Sequence, residues 1–195
     1  MLVGGVRSIV FLFLVALLGC SRSRNARAKV EVPAKVRPIV AALASVPEGQ
    51  VTVQIERELF THVWFARADA KVGAPFRCFV DWNATFCARD ASILSSLVTH
   101  RRLGDNRGSL TDGQWTDLVR AATGLVQVFG EKGFELPPGT SDLARRKLEV
   151  PRVDRPIDAG AVLVDVYGTD EHATLVRVQA TITGAGAAVR VEALR

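Results

Sequence analysis

The sequence is short of the residues that announce chemistry. Its 195 residues include three cysteines, three histidines, one tyrosine and one methionine. No H-E-x-x-H occurs, and none of His62, His100 and His172 has a second ligand type at metal-binding spacing. A metal site at Asp170-Glu171-His172 would need recruits such as Asp154 or Asp158, whereas acids in a hairpin turn need no metal to explain them. No metal or cofactor site is therefore expected. No G-x-S-x-G elbow is present; Ser92, Ser95 and Ser96 fit the polar face of a helix, and Ser141 fits a helix cap. No glycine-rich phosphate loop leads from a strand into a helix, because Gly184 to Gly186 joins two strands. Repeats and low-complexity tracts are missing from the domain. Paired carboxylates for glycan cleavage stay open, since the fold and not the spacing would bring them together; Asp81 beside Trp82 is the one acid–aromatic conjunction.

What is present starts with an address. Arg7 stands in a short positive segment, and Ile9 to Leu18 is an apolar run of about ten residues, the size of a signal-peptide core and too short to span a bilayer. Leu17-Leu18-Gly19-Cys20 resembles the lipobox of bacterial lipoproteins. The resemblance covers the first 20 residues only and leaves the domain unassigned. It implies a signal peptide over 1–19, cleavage before Cys20, and diacylation of the Cys20 thiol with chains such as palmitate. Two or three acyl chains anchor stably, where one alone holds weakly. With Ser21 next to the anchor, the resemblance implies the periplasmic face of the outer membrane in a cell with two membranes. A plain signal peptide, or an ordinary buried helix, with Cys20 in place by chance is the alternative.

The formal net charge of +5 invites a nucleic-acid reading, which fails once the charge is located. Residues 20–37 carry six basic side chains against Glu31 alone, whereas from Ile39 onward 18 basic residues face 19 acidic ones. The basic character belongs to a tether. Such a segment beside a lipid anchor is drawn to anionic head groups at about 1 kcal/mol per residue; a merely solvated spacer has the same composition.

Cys78 and Cys87 remain after the anchor, and an exported chain is oxidised, so they read as one disulfide. Spacing supports this. A two-residue turn at Trp82-Asn83 pairs Asp81 with Ala84, Val80 with Thr85, Phe79 with Phe86, and Cys78 with Cys87. The last pair falls on a non-hydrogen-bonded site, where Cα atoms approach to about 4.5 Å. Closing a loop of this size contributes on the order of 3 kcal/mol. A redox-active pair would more commonly be C-x-x-C at a helix start.

The pattern predicts one α+β domain over 38–195: an antiparallel sheet of about five or six strands with an amphipathic helix on one face and a C-terminal β-meander. Pro38 opens a short helix with Ile39, Val40, Leu43 and Val46 at helical spacing. Residues 57–70 fit a strand continuing past a bulge, or a helix lined by Leu59, Phe60, Val63 and Trp64. The clearest helix runs over about 111–130. Thr111 and Gln114 form a capping box, Leu110 and Trp115 a staple, and Trp115 to Phe129 hold one apolar face. Val162, Val164 and Val166, then Val176, Val178, Ala180 and Ile182, then Val189, Val191 and Ala193 alternate as meander strands.

Two basic spots stand out as anion-binding candidates: Arg101, Arg102 and Arg107 around a loop, and Arg145, Arg146 and Lys147 on a short helix. Solvated helix faces are the simpler account of both. The sum points to a membrane-anchored cell-envelope lipoprotein with a non-catalytic binding, adaptor or assembly role, an envelope protein partner and no nucleic acid. The alternative is a small envelope hydrolase acting on peptidoglycan or another envelope polymer.

Overall fold

The structure, a computed structural model, describes residues 31–60, 62–104, 110–156 and 160–194. The signal, Cys20, and Arg107 lie outside the described residues.

The α+β class holds, but the strands divide into two antiparallel sheets instead of one. Sheet A is the four-stranded meander β1 (Thr52–Phe60), β2 (Val63–Asp69), β3 (Phe76–Val80) and β4 (Thr85–Ala88). Sheet B has the order β5 (Gln127–Val128), β7 (Ala161–Thr169), β8 (Leu175–Thr183), β9 (Gly186–Ala193), with β6 (Arg152–Asp154) on the same edge of β7 as β5. Gly168 makes that edge possible for β5, because a Cβ there would stand 2.2 Å from the Gln127 carbonyl oxygen. Four helices complete the fold: α1 (31–44), α2 (Ser92–Arg101), α3 (Asp112–Thr123) and α4 (Asp142–Arg146).

Strand parity divides the core in two. On one face of sheet A, Ala66, Ala68, Cys78 and Val80 meet Val32, Val36 and Val40 of α1. These valines recur every four residues and form one stripe. On the other face, Leu59, Val63 and Phe79 join Ile93, Leu94, Leu97 and Val98 of α2, Trp115, Leu118 and Val119 of α3, and the inward valines of sheet B. Helices α2 and α3 are thus filled in between the sheets, α2 touching β3, β4, β8 and β9, and α3 touching β1, β6, β7 and β8. The long helix does not lie on one face of one sheet.

Two further expectations are corrected. Helix α1 includes residues 31–37, which the sequence reading placed in the tether. Pro38 sits inside it, on the exposed side, where water can satisfy the carbonyl its missing N–H leaves unpaired. Helix α3 ends at Thr123 and not near residue 130, because Gly124 turns left-handed (φ 76°) and donates its N–H to the Arg120 carbonyl. Its start agrees with the sequence: Thr111 Oγ1 accepts from Gln114 N, and Gln114 Oε1 accepts from Thr111 N. Residues 57–60 and 63–69 are strand, with register shifts in β1 that mark bulges. The 78–87 hairpin has the expected register throughout; its two sulfurs stand at disulfide distance, 2.08 Å, with Cα atoms 4.2 Å apart.

On the outer face of sheet B, Arg177 pairs with Asp165 and lies over the ring of Tyr167, which is buried. Burial pushes the Tyr167 phenol up, Asp165 adds to this, and Arg177 opposes it. The folded pKa is above the unfolded one, near 10. The neutral phenol therefore contributes stability that is fully present below that pH and is lost as pH rises through the folded value. This is the one tyrosine of the chain. Its phenolate absorbance should titrate at a higher pH in folded protein than in urea; coincident curves would refute the assignment.

Candidate functional site

Two clusters of polar side chains lie at opposite ends of sheet A. The first is built on Asp81, at the turn between β3 and β4. Asp81 is 5% exposed. It accepts from Trp82 N at 2.6 Å and pairs with Arg101 Nε at 2.6 Å and His100 Nε2 at 3.3 Å. Lys35 of α1 donates Nζ to the Trp82 carbonyl at 3.0 Å. The His62 ring stands edge-on to Trp82, and Phe86 edge-on to His100. Asp81 fixes the turn to the last turn of α2, where cationic side chains also favour the helix dipole.

The second cluster is a cavity of about 370 Å³ between sheet A and the C-terminal end of α3. Arg57, Arg67, Arg77 and Arg120 line it with Glu56 and Glu171, over an apolar floor that includes Phe65 and Leu125. Strand register brings the central pair together: Arg67 stands directly opposite Arg77, an arrangement of like charges that disfavours folding. Three of the arginines have carboxylate partners. Arg57 pairs with Asp117 at 2.9 Å, Arg67 with Glu171 at 2.7 Å, and Arg120 with both oxygens of Glu131 at 3.0 Å. Arg120 also donates Nε to the Leu125 carbonyl.

Arg77 differs. It is half-buried and donates Nη1 to the Arg89 carbonyl at 3.0 Å. Among the described residues no carboxylate stands within ion-pair distance of it. Burial pushes its guanidinium below the usual pKa, Glu171 opposes that, and Arg67 adds to it. The guanidinium lies against Gly124, where a Cβ would come within 2.2 Å of Nη2. A planar cation with unused donors, held in a walled cavity, can take a carboxylate or a phosphate oxygen.

The basic residues singled out from the sequence lie elsewhere. Arg101 is committed to Asp81. Arg102 is the exposed left-handed cap of α2. Arg145, Arg146 and Lys147 are exposed on α4 and the turn after it, and Arg145 donates Nε to the Thr140 carbonyl. None of these lines the cavity. Asp170 accepts from His172 N and Thr174 N and so closes its own turn. Among the described residues no group of three His, Cys, Asp or Glu could hold a metal ion, and no helix is long and apolar enough to cross a membrane. No family model matches the chain, and neither does any curated protein or solved structure.

Proposed function

We propose that this protein is a lipid-anchored component of the cell envelope with a non-catalytic binding role, and that it holds a partner by a small anionic group in the arginine cavity. The single observation that carries the binding role is Arg77: half-buried, charged, and bonded to one backbone carbonyl. The lipobox-like residues Leu17 to Cys20 support the anchor, which places the domain at one membrane face and raises its effective concentration for partners there. Carboxylates of the cell wall and phosphates in solution are anions within reach there, and both offer the paired oxygens that a guanidinium grips.

The test uses the arginine Nε–Hε resonances during titration with inorganic phosphate and, separately, with N-acetylalanine. Saturable shifts at Arg77 and Arg67 are expected with one probe or both. Arg77→Gln should abolish them while leaving the circular dichroism unchanged. Shifts that survive Arg77→Gln, or no saturable shift up to millimolar probe, would refute the site.

A second reading, a small envelope hydrolase, draws on the His100–Asp81 pair, since a buried carboxylate beside an imidazole is how a general base is oriented. Arg101 on the same Asp81 oxygen as His100 favours a structural hub instead. Loss of the protein's cellular activity in a folded His100→Gln variant, with Arg77→Gln silent, would put the hydrolase reading first.

A further inference from the structure

We propose that the end of sheet A carrying Trp82 rests on the lipid surface, with the Trp82 indole at head-group level. The proposal rests on the anchored reading above and adds to it which face of the domain the bilayer meets.

Trp82 is 56% exposed, although it is among the largest apolar side chains of the chain. Its position is fixed and not loose. Its N–H is held by Asp81, its carbonyl by Lys35, and its ring by His62. The backbone of the turn is thus tied on both sides while its indole is presented to the outside. Tryptophan in that condition suits a membrane–water interface, where the ring is half in hydrocarbon and its N–H stays hydrated.

The chain enters the domain at this same end. Lys35, which touches the Trp82 turn, lies near the start of the described part of α1. Residues 20–30 separate that helix from Cys20, a span of at most roughly 40 Å even when fully extended. A tether that joins the domain at the Trp82 end favours that end, over the far end of sheet A, as the one the bilayer meets. Arg22, Arg24, Arg27 and Lys29 lie within the span and favour an anionic surface. Around Trp82 the charged side chains are Glu31 and Lys35 of α1, Glu58 of β1, Asp81 of its own turn, and Arg101 and Arg102 at the end of α2, with the imidazoles of His62 and His100 beside them. Asp81 is enclosed by Arg101 and His100, and Glu58 accepts the His62 N–H. The charges at this end are mixed in sign, so the pull toward an anionic surface comes from Arg22, Arg24, Arg27 and Lys29 of the tether.

Strand direction gives the orientation a functional sense. Arg77 is three residues back along β3 from Val80, roughly 10 Å from the Trp82 end. A domain resting on Trp82 keeps its arginine cavity off the membrane and open to the aqueous compartment.

The orientation is testable without relying on native lipidation. The chain from Cys20 onward contains every described element, and coupling the Cys20 thiol to maleimide-bearing lipid fixes it to vesicles. The vesicles contain phosphatidylglycerol, phosphatidylcholine, and lipid brominated near the head group, which quenches indoles at that depth. Trp115 is fully buried and Trp64 partly so, which leaves Trp82 as the quenchable ring. Wild-type emission should be quenched at least two-fold more than that of equally coupled Trp82→Phe protein. Equal quenching in the two, or none in the wild type, overturns the proposal. A blue shift that needs no lipid and grows with protein concentration assigns the face to a second copy and overturns it too. Failure of the anchor itself would show separately, as fatty-acid labelling in cells that persists in Cys20→Ser.

Discussion

Trp115→Ala should lower the free energy of unfolding by about 4 kcal/mol, the largest effect expected of any single truncation in the domain. Trp115 is fully buried, the bulkiest side chain with no exposure. It follows the capping box that starts α3, and its cluster joins α2, α3 and both sheets. Alanine there opens a cavity where four elements meet, and the backbone has no short path to close it. Trp115→Phe should cost far less, roughly 1 kcal/mol. Nε1 of Trp115 is buried with no hydrogen-bond partner among the described residues. Replacing the indole removes that unsatisfied donor and offsets part of the lost packing. Urea unfolding followed by far-ultraviolet circular dichroism measures both variants. A phenylalanine variant as damaged as the alanine one would show that the N–H has a partner after all.

Asp81→Ala should cost about 3 kcal/mol, toward the low end for breaking a buried ion pair, because the side chains of Arg101 and His100 are each about a third exposed and water screens them. Removing the carboxylate takes away the ion pair of Arg101, frees the Trp82 turn and unties β3–β4 from α2. Asp81→Asn keeps an acceptor for the Trp82 N–H and should lose less. Arg101→Ala in the Asp81→Ala background should add little, since the shared interaction is already gone. Strict additivity in that cycle would mean that the two side chains are energetically independent and that the hub is a geometric accident.

Local features were legible because their physics is local. The hairpin from Cys78 to Cys87 could be read residue by residue, since a two-residue turn fixes every pair outward from it. The box at Thr111 and Gln114 needed three residues of context. The meander from Ala161 to Ala193 follows from alternation and turn residues. What failed needed tertiary context. Leu125, Val126 and Phe129 extend the apolar spacing of α3, but Gly124 ends the helix, and Val128 enters the core from a short strand instead. Alternation says which side of a strand is buried and not which sheet the strand joins, so two sheets read as one. Pro38 looked like a beginning because its exposure inside α1 cannot be seen from sequence.

The cavity was hidden for a related reason. Basic residues were sought as neighbours in sequence, at Arg101-Arg102 and Arg145-Arg146-Lys147. Arg57, Arg67, Arg77 and Arg120 are separated in sequence and gathered by register and packing. One signal was available: Arg67 shares strand parity with Phe65, and Arg77 with Phe79. Charged residues in step with core aromatics must either reach past the core edge or line a cavity within it.

Sheet A is covered on both faces, and its two coverings come from opposite directions along the chain. Helix α1 precedes it, while α2, α3 and sheet B follow it. An exported polypeptide that emerges N-terminus first can therefore close α1 onto β1–β4, and join Cys78 to Cys87, before its second half has crossed the membrane. The opposite face, with Leu59, Val63 and Phe79, is met next by α2 and α3, whose own far sides stay uncovered until the strands of sheet B arrive, the last of them about a hundred residues after β4. Through that interval the chain is a sheet under two helices with one apolar side still bare. Its yield should respond to whatever shelters that side during export as well as to the stability of the completed fold.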